Sequence, residues 1–240
     1  MLAVLATSTL SGVFGMAGGL LLMGALLVVL PVPQAMVAHG ILQLTANGSR
    51  AVLHRAHVHT SALLWYAAGS VVAALLLRQV VASPDKAWVY LGLGLLPVLA
   101  WLPQGRLLLD ATRSRHALAC GVGVTVLHVV AGVAGPLLDL FFVRAPLGRH
   151  AIVATKAATQ VLAHTVKVAF YAGAALAAPR DVLALGWLAA ALGLAVLGSW
   201  LGGQVLARMT DRDFARWTRW IITAVGVLYL GRAGWLFWAG

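Results

Sequence analysis

Two short series of polar side chains interrupt otherwise apolar stretches of this sequence. His39, Gln43, Asn47 and Arg50 form the first, and Lys156, Gln160, His164 and Lys167 repeat its spacing 117 residues later. On an α-helix either series falls within an arc of roughly 80°, so each puts all its polar groups on one face. A polar side chain in an apolar helix is costly unless it faces the protein interior or a wet cavity. Both faces are rich in N–H donors, and neither holds a carboxylate. Turned toward each other, they line a cavity suited to a small anion. The plainer alternative is that Gln43, Asn47 and Gln160 hydrogen-bond neighbouring helices; recurrence of the whole set favours the cavity. Arg50 reads equally well as an anchor at its helix end and as part of the binding face.

The same shift superposes the glycine-rich stretch from Gly15 to Gly18 on the stretch from Gly132 to Gly135. Both lie where a long apolar run has to break. If new half-helices start near Gly18 and near Pro136, their N-termini offer unpaired N–H groups and the positive end of the helix dipole to an anion. Gly15, Gly18, Gly19, Gly132 and Gly135 let backbone approach a ligand closely. Pro136 suits a first helical position, where no N–H is needed. With the two polar series, Arg50 excepted, these residues make up the expected substrate-binding set.

Two more residues are candidates for proton coupling. His128, in the apolar run before Gly132, is either a proton carrier or a satisfied buried histidine. Asp139, the only acid in an apolar segment, either pairs with Lys156 or Lys167 or marks the wet end of its half-helix. His54, His57 and His59 have a spacing a metal could use, but they follow Arg50 and Arg55 and read as the basic end of a helix. An intramembrane enzyme needs a nucleophile with a base, or a His and Asp cluster, on facing helices. His164 and Asp139 are the nearest candidates, and no motif joins them. The sequence therefore points to no catalytic set, no metal site and no cofactor.

The elements that must carry these residues follow from composition. Of 240 residues, 62% are hydrophobic and 10% charged, with a mean hydropathy of +0.94. A soluble domain needs more polar surface than this, so the excess faces lipid. Seventeen Lys and Arg against six Asp and no Glu give a formal charge of +11. Most of the arginines lie in short loops between apolar runs, which reads as loop charge beside a membrane and not as a nucleic-acid surface. Cys120 is the single cysteine and has no internal disulfide partner. The first apolar run is too long for a secretory signal and is expected to belong to the fold.

Eight apolar segments can be read, at 1–30, 33–49, 61–77, 87–102, 117–143, 151–178, 182–209 and 217–238. If each crosses the membrane once, the basic loop residues divide six against eight, with no useful bias. The first and fifth segments, however, are too long. Thirty residues of straight helix span about 45 Å, against a hydrocarbon core of roughly 30 Å. If both instead enter and leave on one side as hairpins, Arg50, Arg55, Arg106, Arg113, Arg115, Arg144, Arg149, Arg208, Arg212, Arg216 and Arg219 share one side. Only Arg78, Lys86 and Arg180 remain opposite, and eleven against three is a strong positive-inside signal. A kinked single crossing in each place is the alternative. The expected fold is thus an all-α polytopic membrane protein, one integral transmembrane domain of two inverted repeats, 1–110 and 111–240. Each repeat has a broken re-entrant helix hairpin plus three transmembrane helices, an arrangement found in transporters.

Particular residues also resemble a known family. The run SGVFGMAGG from Ser11 to Gly19, the Pro31-Val-Pro33 after its helix, His39-Gly40 and Asn47-Gly48 are similar to the TauE/SafE sulfite exporter family. So are GSWLG from Gly198 to Gly202, Ala207-Arg208, Asp213-Phe214 and Gly226. The resemblance covers most of the chain, including its duplication. It implies transport of sulfite, a sulfonate or a related organosulfur anion, with no settled set of functional residues to carry over. The expected location is the inner membrane of a bacterial-type cell, and the expected partners are the anion and lipid, with oligomeric state open. A cell interior near −100 mV drives each negative charge outward by about 2.3 kcal/mol, so export as a uniporter is the expected mode. The alternatives are proton-coupled anion uptake and a metal or other cation carrier. For the latter, Asp139 alone is a poor supply of ligands.

Overall fold

Backbone N–H and C=O groups in lipid have to be paired within the segment, which for an apolar chain of this kind means helices. The computed structural model is all-α and describes residues 2–14, 16–80, 84–101, 109–143, 145–177, 185–206 and 208–239. Gly15, Arg106, Arg144 and Arg180 lie outside the described residues. The helices are α1 (Leu2–Phe14), α2 (Met16–Val29), α3 (Val32–Leu53), α4 (Thr60–Val80), α5 (Lys86–Trp101), α6 (Ser114–Val130), α7 (Gly135–Phe142), α8 (Arg149–Ala177), α9 (Leu185–Leu206) and α10 (Asp211–Ala239). A 3-10 turn, Arg55–His57, joins α3 to α4.

The first and fifth apolar segments are each two helices, as the glycine breaks imply. In the second of these breaks, Gly132 takes φ +81°, a conformation that glycine adopts without the steric cost other residues meet. Gly135 and Pro136 then open α7, with proline in the first turn where its missing N–H goes unneeded. The chain folds back here: the Ala111 N–H, just before α6, donates to the Phe141 carbonyl near the end of α7 at 2.8 Å. Leu137 of α7 meanwhile lies against Gly123 of α6. In the first segment α1 and α2 likewise pack on one another, and Gly18 lies within α2 rather than at its start.

A broken helix leaves carbonyls unpaired at its end, and long side chains from other elements reach them. The Tyr171 hydroxyl donates to Val129 O at 2.6 Å, Lys167 Nζ to Gly132 O at 2.9 Å, and Lys86 Nζ to Leu27 O at 2.8 Å.

The outer arm of each hairpin packs on a helix of the other half. Helix α1 lies against α9 and α6 against α4. Glycines allow both approaches: Gly198 faces the Leu5 carbonyl, and a Cβ on Gly121 would come within 2.0 Å of the Tyr66 carbonyl oxygen. Helices α3 and α8 run antiparallel, with His39 meeting Lys167 near one end and the His57 ring 5.5 Å from the His150 ring at the other. Helices α5 and α10 also run antiparallel, joined by the Trp88–Phe237 and Trp101–Trp220 ring contacts. Two stretches among the described residues, Thr60–Gln79 and Arg216–Ala239, are long and apolar enough to cross a membrane. They expose Leu64, Val71, Leu75, Val227, Leu228 and Trp235 outward, the surface that lipid rather than water suits. Met23, Leu27, Leu30, Met36 and Leu93 are enclosed where α2, α3 and α5 meet.

Candidate functional site

The facing surfaces of α3 and α8 enclose a cavity of about 210 Å³, closed further by residues of both hairpins. From α3 come His39, Gln43, Asn47 and Arg50; from α8 come Lys156, Gln160 and His164. Gly19 of α2 and Gly135 of α7 complete the polar part, and His128 of α6 joins them. Helical spacing alone explains why each polar series arrives together, since residues four apart stack on one face. Gly19 has a further reason to be glycine. A Cβ there would come within 2.9 Å of the Gln43 amide nitrogen.

Not every expected site residue reaches the cavity wall. Gly18, Gly132, Pro136, Lys167 and Asp139 stand off it, and Gly15 lies outside the described residues. Lys167 is the clearest departure. Its side chain is fully enclosed, and Nζ donates to Gly132 O at 2.9 Å and to His39 Nδ1 at 2.8 Å. The other ring nitrogen of His39 lies 3.0 Å from Gly19 O. A carbonyl can only accept, so His39 Nε2 carries the proton and Nδ1 is the lone pair that receives Lys167. One chain of hydrogen bonds therefore runs from the first hairpin, through His39 and Lys167, to the break in the second. The anchoring is possible because α3 and α8 run antiparallel, which sets residue 39 beside residue 167.

Asp139 forms an ion pair with Lys156 and none with Lys167, which settles the two pairings that the sequence left open. His128 donates Nδ1–H to Val124 O at 2.9 Å, one turn back on its own helix, and its ring stands edge-on to His164 with centroids 4.7 Å apart. Hydrogen bonds also run along α3. Asn47 Nδ2 donates to Gln43 O at 3.0 Å and Gln43 Oε1 at 3.4 Å, and Arg50 reaches Asn47 Oδ1 at 3.5 Å.

The α8 side is different. Gln160 Nε2 and His164 Nδ1 are buried and have no hydrogen-bond partner among the described residues. Leaving a buried polar atom unpaired costs about 1–3 kcal/mol, and both of these atoms belong to residues that line the cavity. The wall also carries an apolar strip that the polar pattern did not reveal, formed by Val133, Leu138, Ile152, Val153 and Ala157. A signal for part of it was present, because residues 153, 156, 157, 160 and 164 share one helical face. His54 and His57 gather with His150 at the basic end of α3 and α8, rings 5.5–6.2 Å apart. Among the described residues no three His, Cys, Asp or Glu side chains are placed to hold a metal ion.

The donor-rich cavity is thus assembled from both halves of a chain with lipid-facing helices. The family model described as sulfite exporter TauE/SafE matches residues 1–229. No curated protein and no solved structure matches the chain.

Proposed function

Because this chain belongs to the sulfite exporter TauE/SafE family, a family of membrane transporters and not enzymes, we propose that the α3–α8 cavity is its anion site. The substrate is sulfite or a small sulfonate, and the direction is export. The observation that carries this reading is the pair of enclosed, unpartnered atoms, Gln160 Nε2 and His164 Nδ1, beside Lys156 and Arg50. Amide N–H and imidazole N–H donate to oxyanions, and cationic side chains nearby strengthen such bonds. The apolar strip of Ile152, Val153 and Leu138 gives the carbon part of a sulfonate a place to lie.

In the membrane we place three crossings per half, α3 to α5 and α8 to α10, with α1–α2 and α6–α7 as re-entrant hairpins from opposite sides. The two repeats, 1–110 and 111–240, are then inverted. The antiparallel packing of α3 on α8 and of α5 on α10 supports this, and so does the fold-back of α7 on α6. The basic ends at Arg50, Arg55 and Arg149 then face the cytoplasm of a bacterial-type cell. With cysteines at Leu2 and Phe237 in a protein lacking Cys120, both should label from the periplasm. Cytoplasmic labelling at both would remove the hairpin arrangement.

The direct test of the site is thermal stabilisation of the purified protein by a panel of sulfite, methanesulfonate, sulfate, chloride, Zn²⁺ and Mg²⁺. Sulfite or the sulfonate should raise the melting temperature most. Stabilisation by the divalent cations alone would overturn the anion reading. In proteoliposomes at clamped potential, anion flux should follow voltage without any proton or sodium gradient. Flux that ignores voltage and appears only with a proton gradient would replace export with coupled uptake. His128 and Asp139 would then be the residues to alter first.

A further inference from the structure

The cavity is open at one end and sealed at the other, and the difference runs through four repeat-related pairs near its two ends. Val153 lines the cavity and is 45% exposed, whereas its counterpart Met36 is 0% exposed. Ile152 lines it, whereas Ala35 is 0% exposed. Arg50 faces the cavity, whereas Lys167 is completely enclosed. Lys156 is partly exposed and held by Asp139 of the second hairpin; His39 is buried and held by Gly19 of the first. All four pairs differ in the same sense. The first-named residues cluster toward the basic end of α3 and α8, and their counterparts toward the opposite end.

What seals that opposite end is also on view. Gly132, at the tip of the second hairpin, is pressed between the thioethers of Met23 and Met36. Lys167 ties its carbonyl to His39, and His39 ties onward to Gly19. The Met23 and Met36 contacts on Gly132 and the Lys167–His39 bond join one half of the chain to the other, whereas Lys167–Gly132 and His39–Gly19 each tie a helix to the hairpin of its own half. A seal of side chains between two similar halves has a second arrangement available, in which the halves trade roles. The 117-residue register specifies which residues would trade.

We propose that the sealed end is a gate latched by Lys167 and His39, and that substrate passes it when the two halves exchange environments. The exchange withdraws Arg50, uncovers Lys167 to the far side, and exposes Ala35 and Met36 where Ile152 and Val153 are exposed now. This rests on the transporter reading above but not on the identity of the anion. Lys167 is a positioning residue in the sealed state, since it holds both hairpins through Gly132 and His39. In the exchanged state its ammonium takes the place that Arg50 has in the present one.

The test uses single cysteines in the full chain lacking Cys120, reconstituted and probed with a membrane-impermeant maleimide from each side. Val153→Cys should react from the side of Arg55. Met36→Cys should react only from the opposite side, and faster by about tenfold or more when sulfite is added, or when Lys167→Met removes the latch. Ala35→Cys, nearly the same size as the residue it replaces, gives the same readout if Met36→Cys does not fold. Labelling of Met36→Cys and Ala35→Cys from the Arg55 side would overturn the gate. So would protection of both from either side while anion flux continues. Far-side labelling with no stabilisation by any anion would instead keep the gate and defeat the anion site.

Discussion

Helices α3 and α8 carry polar residues at matching positions, yet the two faces do opposite things with them. On α3 the polar groups are largely spent on each other and on the hairpin: His39 on Gly19, Asn47 on Gln43, Arg50 on Asn47. On α8, Lys156 is paired with Asp139 and Lys167 with His39 and Gly132, but Gln160 Nε2 and His164 Nδ1 between them are left open. The lesson is that equivalent positions in a duplicated chain need not keep equivalent work. In the function proposed above, one face is the support and the other the receptor, and the ends of each are the joints between halves. Alterations at paired positions therefore separate the roles more cleanly than alterations at one position alone.

The largest contrast is expected between Lys167 and Arg50. Lys167→Met leaves two buried acceptors, Gly132 O and His39 Nδ1, without their donor. At about 1–3 kcal/mol for each unpaired group, the loss is about 2–6 kcal/mol, a large part of an ordinary margin of stability. Arg50→Ala removes one long, partly buried contact and should cost under about 1 kcal/mol. Thermal unfolding of the two purified variants decides it. A Lys167→Met protein that melts with the unaltered chain would mean that the enclosed lysine is not a joint.

Next in size are the open donors. Gln160→Ala and His164→Ala should each weaken sulfite binding roughly 5- to 150-fold, the range that corresponds to losing one buried hydrogen bond of about 1–3 kcal/mol. His164 Nδ1 has no protein partner to lose, whereas the Gln160 side chain also hydrogen-bonds His128, so through hydrogen bonding His164→Ala should disturb folding less than Gln160→Ala. Calorimetric titration of the folded variants is the check. Unchanged affinity in both would move the anion away from α8 and remove the distinction between receptor and support.

These roles show how far the sequence could be read. The helices, the two breaks and the gathering of His39, Gln43, Asn47, Lys156, Gln160 and His164 were legible because 3.6-residue periodicity and a 117-residue repeat are properties of the chain itself. The Gly132 break was legible from its glycines and from Pro136, which suits a first helical position, whereas the positive φ that makes Gly132 itself the pivot needed the structure. Lys167 was misplaced because its surroundings depend on which residue α3 sets opposite it, and antiparallel register is a property of the packed pair. The assignment of Asp139 to Lys156 likewise needed the fold-back of α7. The apolar strip at Ile152 and Val153 was hidden for a different reason. In a chain this apolar, a cavity-lining valine and a lipid-facing valine are the same letter.

The smallest effect should come from Asn47, and it sharpens the comparison most. By the repeat, Asn47 is the counterpart of His164, so a symmetric site would make the two equally important. Its amide nitrogen, however, already donates to Gln43 O and Oε1, and its Oδ1 receives Arg50. An anion would have to compete with those bonds, and it gains little from a donor already engaged. The alanine variant frees the Gln43 carbonyl, which α3 pairs within the helix in any case, and loosens Arg50. We expect Asn47→Ala to weaken sulfite binding by less than about fivefold, below the lower bound set for a lost buried hydrogen bond. A loss as large as that of His164→Ala, measured in the same titration, would show that the anion displaces Gln43 and binds both faces alike.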